Sequence, residues 1–159
     1  MASIDPLGFM VRPVKDSDLN YVRKTWLDSW IGFVFSQTAM ADRVNLKRRY
    51  AGGIRRLIER STVLIACDSD SQDQILGFAC GRSEPSLLHY VYSKSIYRRN
   101  GIARALVAAT CRPLGPLICT HWGWALPRDD HDEAVFSGLR CIYVGNVEPV
   151  HMQPRTHAT

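Results

Sequence analysis

A strand, a glycine turn and a helix follow one another directly between residues 86 and 112, and that junction limits what the chain can be. Ser86 to Lys94 alternates in the manner of a strand, with Leu87, His89, Val91 and Ser93 on one face and Leu88, Tyr90 and Tyr92 on the other. Arg98-Arg99-Asn100-Gly101-Ile102-Ala103-Arg104 follows, and a helix is predicted from about Ile102 to Arg112, closed by Pro113. A helix entered in this way presents unpaired backbone N–H groups and the positive end of its dipole. Gly101 allows close approach and conformations barred to other residues, and Ala103 keeps that approach open. With three arginines around the opening, the junction suits a phosphate or diphosphate. It is neither a Walker A loop, lacking the Gly-Lys-Ser/Thr ending, nor a G-x-G-x-x-G dinucleotide fingerprint.

The rest of the chain alternates helical and strand periodicities. Phe9 to Lys15 suits a first strand, and Asp16 or Ser17 supplies a helix-start signal. Leu19, Val22, Trp26 and Trp30 then form one apolar stripe at spacings of three and four. A second helix is predicted over 41–60 with Val44, Tyr50, Ile54 and Leu57 as its stripe. Ser61–Cys67 and Ile75–Gly81 read as a hairpin around the polar run 68–73. Leu117–His121 reads as a short buried strand, Asp129–Leu139 as a helix with an acidic start, and Arg140–Val144 as a last clear strand. The tail through Thr159 is a candidate edge strand weakened by Pro149. The 159 residues suit one domain, residues 1–159, with a core over about 9–150.

Charge and cysteine usage narrow the function classes. The net charge is +5, and the stretch 41–60 carries seven basic residues against two acidic, which equals that excess. It reads first as a solvated helix face, and nucleic acid is the alternative partner. Five single cysteines without a C-x-x-C pair argue against a disulfide framework and against a metal site. No apolar run is long enough to span a bilayer, and no signal peptide is recognisable, so the cytoplasm is the expected location.

Tyr97 to Leu106 resembles the acetyl-coenzyme A signature of the GNAT N-acetyltransferases, whose core is Arg/Gln-x-x-Gly-x-Gly/Ala. Val11-Arg12-Pro13 with Asp18-Leu19, the Ile75–Ala79 strand and Ala134–Leu139 resemble the family's first strand-to-helix entry, third strand and last helix. The resemblance implies an α/β fold with a mixed sheet, order β-α-α-β-β-β-α-β-α-β, and two central strands that splay apart. It implies acetyl-CoA as cofactor, held by Arg98, Arg99, Asn100, Gly101, Ile102, Ala103 and Arg104. The strand end at Tyr92 and Ser93 would pair with the pantetheine arm, and a backbone N–H there would polarise the thioester carbonyl.

The implied reaction is direct transfer of an acetyl group to a primary amine, which must first lose a proton. His89, His121 and Glu84 are the base candidates, in that order. The family's tyrosine after the phenylalanine of the last helix is replaced here, since Ser137 follows Phe136. Tyr143 or Tyr92 then becomes the candidate acid. Trp30, Trp122 and Trp124 are candidates for the acceptor site, although Trp26 and Trp30 read first as core at their helical spacing. A second reading stays open: a GNAT-fold protein with weak or no catalysis, acting as a binding module for nucleic acid or an acidic partner. Dimers are common in the family, so a homodimer also stays open. The acceptor and the acyl length are not legible.

Overall fold

The computed structural model describes residues 8–35, 43–120, 133–136 and 139–143. The elements are β1 (Phe9–Pro13), α1 (Leu19–Phe35), α2 (Arg43–Arg60), β2 (Thr62–Asp68), β3 (Ile75–Ser83), β4 (Ser86–Ser93), α3 (Ile102–Cys111), β5 (Leu117–Cys119), β6 (Glu133–Phe136) and β7 (Leu139–Tyr143). They form a mixed sheet of order β1-β2-β3-β4-β5-β7-β6. The first four strands pair antiparallel, β4 pairs parallel with β5, β5 pairs parallel with β7, and β6 returns antiparallel. No helix among the described residues is long and apolar enough to cross a membrane.

Alternation along the strands builds a core on each side of the sheet. Val63, Ile65, Phe78 and Cys80 face α1 and α2, where Val22, Trp26, Trp30, Ile54 and Leu57 cover them. Ala66, Leu76 and Ala79 face Ile102 and Leu106 of α3. Trp26 stacks on Tyr90 at 4.9 Å between centroids, a contact that contributes about 1 kcal/mol beyond the area it buries. Cys67, Cys80, Cys111 and Cys119 are buried and unbridged. Burial pushes the Cys80 and Cys111 thiols up to about 12, as small apolar packing residues require. The chain's entry into α1 is tied down by a buried ion pair. Arg12 donates to the Asp18 carboxylate at 2.6 Å, which also accepts the Lys15 N–H at 2.8 Å. That arrangement, rather than the side chain of Asp16 or Ser17, closes the first turn.

Three expectations are corrected. Asp129–Leu139 is not a helix: residues 129–132 lie outside the described residues, and Glu133–Phe136 is a strand laddered to β7. Val135 and Phe136 fit a pleated surface as well as a helix, and pairing with a neighbouring strand decides between the two. The resemblance of Ala134–Leu139 to the family's last helix therefore fails. Val44 is 70% exposed, so the buried stripe of α2 comprises Ile54, Leu57 and Ile58. Along β4, Cys80 pairs with Tyr90 whereas Gly81 pairs with Leu88, which leaves His89 as an extra residue. This β-bulge breaks the uniform alternation, so Leu88 joins Val91 in the cluster under α3.

Candidate active site

The strand-to-helix loop has the geometry its composition requires. After a 3-10 turn at Ser95–Tyr97, Arg99 and Gly101 both take positive φ, at 67° and 78°. Glycine does so freely, but for arginine that conformation is uncommon, and such strain persists where the surroundings enforce it. Gly101 is the N-cap of α3, and no side chain caps the helix. Its first ladder bond runs from the Ala105 N–H to the Gly101 carbonyl at 2.9 Å, so the amides of residues 102–104 have no helical acceptor. A cleft of about 270 Å³ opens there, lined by Ser93, Tyr97, Arg99, Gly101, Ile102, Ala103 and Arg104. Whole small-molecule sites run to roughly 300–1,000 Å³, so this one suits part of a larger ligand.

The helix start is held against the end of β4 by close packing. A Cβ on Gly77 would stand 2.4 Å from the Tyr92 carbonyl oxygen and 3.2 Å from the Ile102 side chain. Only glycine lets β3, β4 and the first turn of α3 meet there. The Gln74 side-chain amide donates to the Tyr97 hydroxyl at 3.0 Å and ties the loop to the start of β3.

Among the described residues, β4 pairs with β5 only near its own beginning. Leu87 stands opposite Ile118 and Leu88 opposite Cys119, and the last contact among the described residues is the Thr120 N–H donating to the Leu88 carbonyl at 3.0 Å. β5 ends at Cys119 while β4 continues to Ser93. The Lys94 N–H donates to the Leu76 carbonyl on the β3 side. By the period of two, Tyr92 and Tyr90 then face β3 as well. Val91 and Ser93 therefore turn their N–H and C=O groups to the side on which β4 has no further partner among the described residues. The parting point is marked by His89, 2% exposed, whose Nδ1 lies 2.8 Å from Thr120 Oγ1 in a buried hydrogen bond. Burial, and secondarily the charge of Arg82, pushes its pKa down to about 4. His89 is thus neutral at pH 7 and a weak proton acceptor, far from the near-neutral value that general-base catalysis favours.

The other sequence-predicted residues fall as follows. Glu84 is exposed at the β3–β4 turn, before β4 begins and at the opposite end of that strand from Ser93. Trp30 is 4% exposed and packs edge-on against Tyr50, so it is a core residue and lines no acceptor site. Tyr92 pairs with Phe78 of β3 and does not line the cleft, where its neighbour Ser93 does, and its ring lies beside Phe78 on the α1 side of the sheet. Arg98 and Asn100 form the loop, while Arg99 and Arg104 provide the cleft-lining cations. Tyr143 pairs with Cys119 at the end of the β5–β7 ladder. His121, Trp122 and Trp124 lie outside the described residues. Sequence reasoning missed Thr120, the partner of His89, and the bulge that separates Leu88 from Tyr90. The position of Thr120 at the end of an apolar strand was the available signal.

The order of elements from β1 through β5, with a parallel pair that parts, is the order the GNAT resemblance implies. No protein-family model matches the chain, and no curated protein matches it. Among solved structures it is similar to a Rhodopseudomonas palustris protein described as a GCN5-related N-acetyltransferase and as a class-II aminotransferase, at 17% identity and a TM-score of 0.42, over 62% of this chain and 61% of that one. It is also similar to a Desulfovibrio desulfuricans protein assigned to the GNAT family of acetyltransferases, at 16% identity and a TM-score of 0.36, over 64% of this chain and 62% of that one. The chain thus spans less than two thirds of the length of either.

Proposed function

We propose that the chain is an N-acetyltransferase of the GNAT type, taking an acetyl group from acetyl-CoA to a primary amine by direct attack. One observation carries the reading: Ser93 belongs both to the open edge of β4 and to the cleft over the start of α3. A ligand with a diphosphate and an extended amide-bearing arm meets both features in one continuous path. The uncapped amides of Ile102, Ala103 and Arg104 fit the diphosphate, assisted by the side chains of Arg99 and Arg104. The open N–H and C=O groups of Val91 and Ser93 fit the two amides of the arm, like an added strand.

Acetyl-CoA supplies an acyl group activated as a thioester. The protein's share is to place it and to move protons. Val91, two residues past the bulge, offers the N–H that polarises the carbonyl. His89 acts as a positioning residue, holding Thr120 where the strands part, because its depressed basicity suits a structural hydrogen bond. The base role passes to His121, the next residue along the chain, and the leaving thiolate takes its proton from Tyr143 or Tyr92. The acceptor is an amine-bearing molecule, and the expected compartment is the cytoplasm.

Thermal unfolding with acetyl-CoA, CoA and a panel of nucleotides tests the reading. Ligand at about 100 times its Kd stabilises by about 2.7 kcal/mol, and acetyl-CoA and CoA are expected to do so. Ala103→Glu places a carboxylate in the first turn of α3, where the helix tolerates it and the dipole favours it. That variant should melt no lower than the parent and show no shift with acetyl-CoA. An unchanged shift would place the diphosphate elsewhere.

A further inference from the structure

A second concentration of positive charge lies outside the cleft just described. Between α1 and α2 runs a groove of about 520 Å³. Arg23 and Lys24 of α1 and Lys47 and Arg55 of α2 line it, against the single carboxylate of Asp28. Lys24 is paired with Asp28 and Arg55 with Glu59. Arg23 and Lys47 have no carboxylate partner among the described residues, and the Nε of Arg23 is buried without a hydrogen-bond acceptor. The floor is apolar, made by the half-buried Leu27 and by Ala51 over the buried Ile54. Small residues keep it open: a Cβ on Gly52 would meet only Arg56 Nη1, at 3.8 Å.

An apolar floor under a cationic rim selects an amphipathic anion. Inorganic phosphate would leave Leu27 uncovered. Single-stranded nucleic acid depends on aromatic platforms for its bases, and among the described residues no aromatic side chain lines the groove. Carboxylates suit the planar fork of an arginine, and aliphatic side chains suit the floor. We propose that the groove between α1 and α2 docks an acidic segment of a partner protein, seating an aliphatic side chain on Leu27 and carboxylates on Arg23 and Lys47. The proposal does not depend on acetyl transfer, because neither helix contributes to the cleft over α3.

Fluorescence anisotropy with the purified chain tests it. The probe is a labelled peptide rich in glutamate, with leucines three and four residues apart, beside the same peptide with lysine in place of glutamate and a single-stranded RNA of equal charge. The acidic peptide should bind, and its lysine counterpart should not. Gly52→Leu, which fills the groove, and Lys47→Glu, which reverses an exposed rim charge, should each weaken binding about tenfold while circular dichroism stays unchanged. No binding of the acidic peptide, or affinity that survives both substitutions, would overturn the proposal. RNA that binds more tightly than the peptide and loses affinity in the same variants would overturn it too, assigning the groove to a phosphodiester backbone.

Discussion

The two halves of β4 are built from similar residues and serve different ends. At Leu87 and Leu88 the strand has partners on both sides, β3 and β5. At Val91 and Ser93 it has β3 on one side and, among the described residues, no partner on the other. The change takes place at His89, where an extra residue re-aims the strand and Thr120 ends the contact with β5. A sheet normally satisfies its backbone groups internally. An edge left open in the middle of a sheet, beside an uncapped helix start, is a place where a ligand can complete the ladder. The closed half supplies rigidity, and the open half supplies recognition.

The largest expected effect comes from charging the histidine that divides the halves. His89 has its pKa lowered to about 4 from the ordinary 6.5. The unfolded chain therefore binds more protons between those values, and stability rises with pH across that window. The contribution is complete above about pH 6.5 and is lost as the pH falls through 4. It amounts to about 3 kcal/mol at about 1.36 kcal/mol per unit. Asp18, lowered chiefly by its hydrogen bond from Arg12, loses its own contribution only below the ordinary carboxylate value, so the two windows separate. Chemical denaturation from pH 7 to 4 measures the slope, and His89→Gln should flatten it. An equal slope in that variant would assign the acid sensitivity to other groups.

A smaller effect is expected from the other member of the pair. Thr120→Val keeps the shape of the side chain but removes the hydroxyl that meets His89 Nδ1. Leaving a buried ring nitrogen without its partner costs about 1–3 kcal/mol, and the cost should be smaller in a His89→Leu background. A double-mutant cycle by urea denaturation reads this coupling directly. Additive losses would mean that the two side chains merely share a neighbourhood.

The helical stripe and the loop after β4 were legible in the sequence, and the point at which β4 changes partners was not. Val22, Trp26 and Trp30 repeat at helical spacing and are buried against the sheet, because a stripe of that kind has only one way to leave water. The loop at Arg98–Arg104 was legible through Gly101, whose positive φ requires that residue type. The bulge was not, because alternation at period two presumes an uninterrupted ladder. One added residue leaves no mark on composition, and it moved Leu88 to the α3 face. The strand Glu133–Phe136 escaped for a related reason. Its four residues suit either element, and the choice rests on pairing with β7, a neighbour that local periodicity does not see. Val44 marks the limit at a helix end: it lies on the ideal stripe, yet it is exposed.

The finest test of the comparison is hydrogen exchange along β4. The Leu88 stretch should exchange through the larger openings that release core strands, since it is laddered on both sides. The Val91 and Ser93 amides, which face the open edge, should exchange faster than those of Tyr90 and Tyr92, which face β3. Acetyl-CoA should slow Val91 and Ser93 by about tenfold or more, which corresponds to about 1.4 kcal/mol of added protection, and leave Leu88 nearly unchanged. Protection spread evenly over all eight residues of β4 would indicate global stabilisation instead. In that case the ligand would be held by the α3 cleft alone, and the open edge would have no part in recognising it.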